Sequence, residues 1–468
     1  MSTRHVTVHG AWPVQFDLDL DETVRLDAPN GSVRVVLRAV DHDTAPDFWT
    51  GESPDQAIRV AARVSVELDG EPVVLTCRPG QLPTTAGPVR LYVETTRDWA
   101  TSPTQARPIA GVDRAVRFSA VPAGRTWGPD DLVFPIGNYR WRSSSYQNTW
   151  GSLVPFNAYY YHRGEDLGAV PDRLPVLAVA DATVLKAPEP GRPAESNPVF
   201  LDVGDGVVVR YAHMNVDSIR PGVRPGRRLD RGAPVGLTGE THFGRRFQHD
   251  DPHLHVDLYR DGAPISPYPM YVESYFRSYP DPVLAMAGGY GYTVPGRPHR
   301  LDATRSTARP GEKIVGHEWR LHDGRVVDGP LADVVYDAPG LYAEELVVRA
   351  ADGSEDRDAI SVVVYEPVRR ADVARGWVHY SPARDVRPGT PVEFWSRFRD
   401  VHDTAIDFGD GTSADIGPDD EVTHAYDAPG LYVATVTGAG VRGEHVSVKV
   451  RIRVQPLAAA QSSSSSGS

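Results

Sequence analysis

Two imidazoles stand two residues apart in His253-Leu254-His255, and about ninety residues earlier His162-Arg163-Gly164-Glu165-Asp166 offers an imidazole and a carboxylate at i, i+4. Imidazole and carboxylate are ordinary zinc ligands, and three protein ligands plus one open position is the arrangement of a catalytic zinc. On a strand, residues i and i+2 point to the same face. His253 and His255 can therefore reach one site, where one can bind a metal while the other handles protons. Between these pieces lies Tyr211-Ala212-His213-Met214. It follows Val207-Val208-Val209, a β-branched run that reads as a strand.

A fourth piece, Gly236-Leu237-Thr238-Gly239, completes a series: H-R-G-E-D, then Y-A-H, then G-L-T-G, then H-L-H. In that order the series resembles the lysostaphin-type, or LytM-like, zinc metallopeptidases, which are built on a duplicated hybrid β-sheet core. The resemblance spans roughly Phe156 to Tyr271. It implies that His162, Asp166 and His255 bind Zn2+ and that His213 and His253 are the catalytic residues beside the metal-bound water. It also implies a zinc metalloendopeptidase acting through a zinc-activated water on peptide bonds of peptidoglycan stem peptides or cross-bridges, or on another Gly/Ala-rich peptide. The chemistry is coherent without the family: zinc lowers the pKa of bound water to about 7 and polarises a carbonyl. One imidazole can then shuttle a proton, while the other hydrogen-bonds the oxyanion.

Within this resemblance Glu165 reads as a solvated neighbour, with a role in supporting a ligand left open. The family places a tyrosine near the metal to stabilise the oxyanion. Tyr159, Tyr160 and Tyr161 are the candidates here, and alternating side-chain direction excludes all three serving at once. The chain departs from the pattern between G-L-T-G and H-L-H. The family has a short Gly/Ser-rich link there, whereas this sequence runs from Glu240 to Pro252 through Phe243, Arg245, Arg246, Phe247, His249, Asp250 and Asp251. That loop reads either as a surface insertion or as a cap that reshapes specificity. His242 and His249 fall outside the motif order and are not assigned as ligands.

The surrounding elements read as strands. Val64-Ser65-Val66-Glu67-Leu68 and Val446-Ser447-Val448-Lys449-Val450 alternate with period two, long amphipathic helical windows are scarce, and Gly (43) and Pro (41) are dispersed throughout. The 468 residues suggest three to four domains. The expected fold class is mostly β and multidomain: a β-sandwich-like region over 1–130, an aromatic linker over 131–155, and a lysostaphin-type antiparallel peptidase core over 156–275. Two C-terminal repeats follow. Tyr336-Asp337-Ala338-Pro339-Gly340-Leu341-Tyr342 recurs unchanged as Tyr426-Asp427-Ala428-Pro429-Gly430-Leu431-Tyr432, and Asp407-Phe408-Gly409-Asp410-Gly411-Thr412 precedes the second copy. These segments resemble PKD domains, which are immunoglobulin-like β-sandwiches, over 295–365 and 375–455; the first copy has only His322-Asp323-Gly324 for the D-F-G-D-G turn. Tight-turn chemistry accounts for their Asp and Gly content. The Ser-rich end, 456–468, has the composition of a disordered tail.

The net charge of −13 and the lack of a Lys/Arg block argue against nucleic-acid binding. A lone cysteine, Cys77, rules out an intramolecular disulfide and reads as a small buried hydrophobe. No window is apolar enough for a membrane span. No secretory signal is visible in Met1 to Leu20, although the family's cell-wall role leads one to expect an extracellular or cell-envelope location. Two other functions use the same parts: a non-catalytic scaffold, against which all five motif residues count, and a glycan or cell-wall binder working through the PKD-like and N-terminal domains. The PKD-like segments contribute nothing to the motif set. They are therefore expected to be dispensable for cleaving a short soluble peptide.

Overall fold

The computed structural model describes residues 4–46, 57–100, 112–155, 159–188, 198–242, 245–246, 251–366 and 374–457. The tail 458–468 and the loop residues Phe243, Phe247, His249 and Asp250 lie outside them. Strands dominate throughout. Among the described residues no helix is long and apolar enough to cross a membrane.

The N-terminal region is two sheets sharing one core. Arg4–Thr7, Thr23–Ala28, Gly31–Pro46, Ala57–Leu68 and Glu71–Cys77 form the first; Val14–Leu18, Val116–Pro122, Val89–Thr96 and Thr84–Ala86 form the second. The period-two pattern seen in the sequence sends Val64 and Val66 inward with Leu26, Val35, Leu75, Leu91 and Phe118. Cys77 is buried among them.

The next sheet holds the motif residues. Its central strand is His253–Arg260, paired antiparallel with Glu165–Gly168 on one side and Val207–Ala212 on the other. Beyond these lie Gln147–Asn148 at one edge, and Val199–Asp202, Ala182–Lys186 and Arg228–Leu229 towards the other. The helix Tyr268–Ser278 closes the layer. Proline sits in its first turn, where a missing N–H leaves no hydrogen bond unmade. Tyr271 and Tyr275 of this helix meet Phe134 edge-on, and Tyr275 also meets Trp141. The aromatic stretch 131–155 thus runs through the interior: Trp141 packs in this core, Trp150 in the N-terminal core, and Tyr146 is buried as well.

The two C-terminal repeats share a nine-stranded sheet. Gly340–Ala350 of the first lies beside His445–Val454 of the second, joined in parallel through Gly340↔His445 and Leu341↔Val446. The repeated heptapeptide does the same work in both copies. The hydroxyl of Tyr342 donates to the Ala338 carbonyl at 3.0 Å, and that of Tyr432 to the Ala428 carbonyl at 2.9 Å. Each of these tyrosines packs on the tyrosine that opens its motif, at 4.6 and 4.4 Å between ring centroids. The aspartates of D-F-G-D-G cap their own turns: Asp407 accepts from the Gly409 N–H and Asp410 from the Thr412 N–H and hydroxyl.

The repeats are built into the rest of the molecule. Arg142 pairs with Asp358 at 2.7 Å and also reaches the Gly288 carbonyl. Arg451 pairs with Asp356 at 2.8 Å and donates to the Trp141 carbonyl. Arg384 pairs with Asp281 and donates to the Tyr275 hydroxyl at 2.8 Å. All three arginines are buried. The strand Arg375–Ser381 runs against the aromatic stretch. Ser144 bridges His379, and the Ser145 N–H donates to the Val378 carbonyl at 3.0 Å. The C-terminal segments, expected to be dispensable for cleaving a short soluble peptide, are thus in direct contact with the sheet that holds the motifs. Charged groups buried at the seam tie the repeats to the motif-bearing sheet, and no motif could signal such contacts.

Candidate metal centre and active site

Register places the motif residues. Asp166 lies directly opposite His255, and Gly168 opposite His253; on the far side Ala212 lies opposite His255. His213 is the residue after that pair. Its backbone is left-handed (φ 68°), an uncommon state for a residue other than glycine, and its ring Nδ1 lies 2.9 Å from the Thr241 carbonyl. His162 follows the strand Tyr159–Tyr161, and the chain turns back at Gly164 (φ +99°). A Cβ there would stand 2.5 Å from the Val256 carbonyl oxygen. Gly239 is needed for space of the same kind: a Cβ would lie 2.5 Å from both the Asn215 nitrogen and the His213 carbonyl oxygen. Close approach of backbones thus explains two motif glycines.

Three donor atoms converge. His162 Nε2 lies 3.0 Å and His255 Nδ1 2.7 Å from Asp166 Oδ1, and the two nitrogens are 3.2 Å apart. His253 Nε2 is 3.3 Å from the same carboxylate oxygen, and His253 Nδ1 is 2.6 Å from the Asp251 carbonyl. The rings of His213 and His253 are 4.5 Å apart. His162, Asp166 and His253 are buried, while His213, His242 and His255 are partly open. Burial pushes the Asp166 carboxyl up, but His162 and His253 more than offset this and hold it well below the usual carboxylate range. Burial, together with His253, His242 and His255 nearby, drives His213 well below its ordinary value. Burial also acts to lower His253, but Asp166 and then Asp251 overcome it and raise the ring. His255 is held up to about 9: burial acts against its charge, and Asp257 and Asp166 outweigh it.

Several supporting residues carry no motif signal. The other oxygen of Asp166, Oδ2, accepts from Asn148 Nδ2 at 2.9 Å and from the Tyr146 hydroxyl at 3.1 Å. The Tyr146 ring also lies 4.8 Å from that of His253. His255 Nε2 stands 3.1 Å from Asp257 Oδ1. Asp257 is buried and held well below its usual range; burial opposes this, but His255 and then Arg210 and Arg163 prevail. The sequence reading did not name Asp257, although strand periodicity, which places it on the same face as His255, could have found it.

Three readings change. Glu165 is buried rather than solvated, and accepts from the Thr149 hydroxyl and the Trp150 N–H. Of the tyrosine candidates, Tyr161 points away from the site, donating to the Arg59 carbonyl and packing on Trp99; Tyr146 bonds Asp166 and lies near enough to Tyr160 to feel it electrostatically. His242, set aside on motif order, stacks on His213 at 4.1 Å. From the C-terminal repeat, Trp377 packs edge-on against Tyr146 at 5.5 Å. His379 is fully buried and pushed down to about 3 by burial, Arg397 and His253.

Residues 160–267 match the family model described as Peptidase family M23, and residues 279–364 and 377–454 each match a PKD domain model. The chain thus carries a LytM-type M23 peptidase domain and two PKD domains. A search of curated proteins returned no match. Among solved structures, the catalytic domain of the prophage-encoded M23 protein EnpA from Enterococcus faecalis is 22% identical, with 26% of this chain and 88% of that one covered and a TM-score of 0.21. A putative glycyl-glycine endopeptidase from Ruminococcus gnavus is also 22% identical, over 24% of this chain and 45% of that one, with a TM-score of 0.21. A zinc-containing peptidase from Vibrio cholerae is 14% identical over 51% and 85%, with a TM-score of 0.23.

Proposed function

We propose that this M23-domain chain is a zinc metalloendopeptidase in which His162, Asp166 and His255 hold the metal and His213 and His253 are the catalytic residues. The observation that carries this reading is the convergence of one carboxylate oxygen and two ring nitrogens at mutual distances of 2.7–3.2 Å. Such separations suit one small ion bound at about 2.0–2.2 Å. Bound there, zinc would polarise the scissile carbonyl and bring the pKa of a water to about 7.

The chain's own residues supply the rest. Asn148 and Tyr146 fix the Asp166 carboxylate by bonding its far oxygen, and Asp257 orients His255 from behind, as partners of metal-binding imidazoles commonly do. His213 is neutral, because burial and neighbouring imidazoles disfavour its charge. With Nδ1–H directed at the Thr241 carbonyl, its Nε2 lone pair can accept a proton from the attacking water. His253 has an acceptor at each ring nitrogen, Asp251 O and Asp166 Oδ1. The Asp251 carbonyl engages Nδ1–H, so a proton on Nε2 is the one that can bond a developing oxyanion and pass to the leaving amine. The family resemblance supports peptidoglycan stem peptides or cross-bridges as the substrate, with the PKD domains as a binding surface for wall or glycan.

The test is digestion of purified peptidoglycan with mass spectrometry of the released peptides, alongside zinc analysis of the same preparations. His255→Ala should lose zinc and turnover together. His213→Ala and His253→Ala should keep most of the zinc and lose on the order of 10²–10⁴-fold in rate, the usual weight of a proton-transfer group. Absence of zinc from the reconstituted wild type sinks the enzyme reading. If His253→Ala loses the metal while His255→Ala keeps it, the two roles are exchanged.

A further inference from the structure

His242 belongs to no family motif, yet it sits inside the cluster. It lies on the short strand Thr241–His242, where the chain leaves G-L-T-G for the departing loop. Its ring stacks on His213 at 4.1 Å and lies 5.5 Å from His253. His213, His242 and His253 each present a ring nitrogen, and these atoms all lie within 4.8 Å of one another. This group shares no residue with His162, Asp166 and His255, whose donor atoms also converge, and it adjoins them where His253 Nε2 lies 3.3 Å from Asp166 Oδ1.

The hydrogen bonds define which atoms are available. His213 and His253 both direct Nδ1 at backbone carbonyls, of Thr241 and Asp251. A neutral imidazole donating from Nδ1 keeps its lone pair on Nε2, which in His253 is also the atom 3.3 Å from Asp166 Oδ1; a carbonyl partner of this kind is the usual support of a metal-binding histidine. Three imidazoles without a carboxylate suit zinc, nickel or copper rather than magnesium or calcium.

We propose that His213, His242 and His253 form a second site for a divalent cation of the zinc class, and that filling it inhibits the peptidase. The inhibitory half rests on the function proposed above, because the second ion occupies the lone pairs of both catalytic imidazoles. The site is the weaker of the two. It lacks an anionic ligand, and its donors must close from spacings of up to 4.8 Å to the roughly 3.4 Å that two nitrogens about 2.1 Å from a tetrahedral zinc require. The first site needs no such closure. The enzyme is thus active with one equivalent of zinc and silenced by an excess.

The experiment is calorimetric titration of the full chain with zinc, repeated with cobalt, whose visible absorption reports tetrahedral nitrogen ligation. Wild type should take up one tight equivalent and then a second, weaker one. His242→Gln should take up the first only, with His242→Ala as a second variant and melting curves confirming that each is folded. On a cleavable peptide, wild-type turnover should fall by on the order of 10²-fold or more as the second equivalent binds, the weight of a lost proton-transfer group. His242→Gln should keep its one-equivalent rate across the same range. A wild type that binds a single equivalent overturns the site, as does a His242→Gln that still binds two. If both titrations behave as expected but no substrate is cleaved at any zinc level, the site stands and the peptidase reading fails. If wild type binds two equivalents with undiminished turnover, the inhibition fails.

Discussion

Asp166 faces three imidazoles with one oxygen and two neutral donors with the other, so its charge is fixed from both sides. His255 is placed the same way, between Asp166 and Asp257. Loss of the Asp257 charge should therefore be felt at the metal without touching a ligand. Asp257→Asn keeps the shape, and its effect should be a drop in zinc affinity of about 10–100-fold, typical of a substitution behind a ligand. Competition with a chromophoric chelator measures it; unchanged affinity would mean that Asp257 serves only Arg210 and Arg163. At this scale the sequence was legible wherever a motif or the strand period applied. His162, Asp166, His213, His253 and His255 were named from spacing and resemblance, and the structure gathers them. Tyr146 and Asn148 were not legible as site residues, because they arrive from a preceding edge strand that no periodicity connects to the site. His242 was hidden because it lies in a departure from the family pattern.

The element that organises the site is the strand His253–Arg260, flanked on both sides by strands that each bring a motif end to it. Its position in mid-sheet explains why the turn at Gly164 is so tightly constrained. Alanine there would suffer both a positive φ and a contact with the Val256 carbonyl and Asp257. Gly232 offers a control, since it has a similar φ (+77°) and a Cβ added to it would meet nothing within 4 Å. Gly232→Ala should show only the backbone penalty, about 1–2 kcal/mol. Gly164→Ala should lose more stability and weaken zinc binding as well, because relieving the contact shifts Asp166 and His162 at either end of the turn. Thermal melts and zinc titrations of the two variants separate the effects; equal behaviour would reduce Gly164 to a conformational role. Strand character was readable from alternation and β-branching. The pairing order was not, because register depends on partners distant in the chain.

At the scale of the whole molecule, polar groups buried between domains decide how far the parts are independent. Glu94 of the N-terminal sandwich is buried and accepts from the Ser119 hydroxyl and the Ser266 N–H of the peptidase layer. Burial raises it from its ordinary 4.5 to about 7. The folded state then holds an extra proton between those values, so stability falls as pH rises from about 4.5 to about 7 and levels off above. The change is at most about 3 kcal/mol. Glu94→Gln should flatten that part of the melting-temperature profile; a profile unchanged from wild type would show Glu94 already ionised. The C-terminal seam carries the stronger consequence. A chain ending near Tyr290 loses Asp358 opposite Arg142, the Arg451 contact with the Trp141 carbonyl, and Trp377 against Tyr146. An arginine left without its partner in such a place costs about 3–5 kcal/mol, comparable with the stability of a small domain. Tyr146, which bonds Asp166, would lose its packing at the same time. The shortened chain should therefore melt well below the full protein or fail to accumulate in soluble form, and any soluble fraction should bind zinc more weakly. Differential scanning calorimetry and zinc titration of the two lengths test this. A shortened chain with full stability, zinc affinity and soluble-peptide turnover would show that the PKD domains serve only attachment to insoluble substrate.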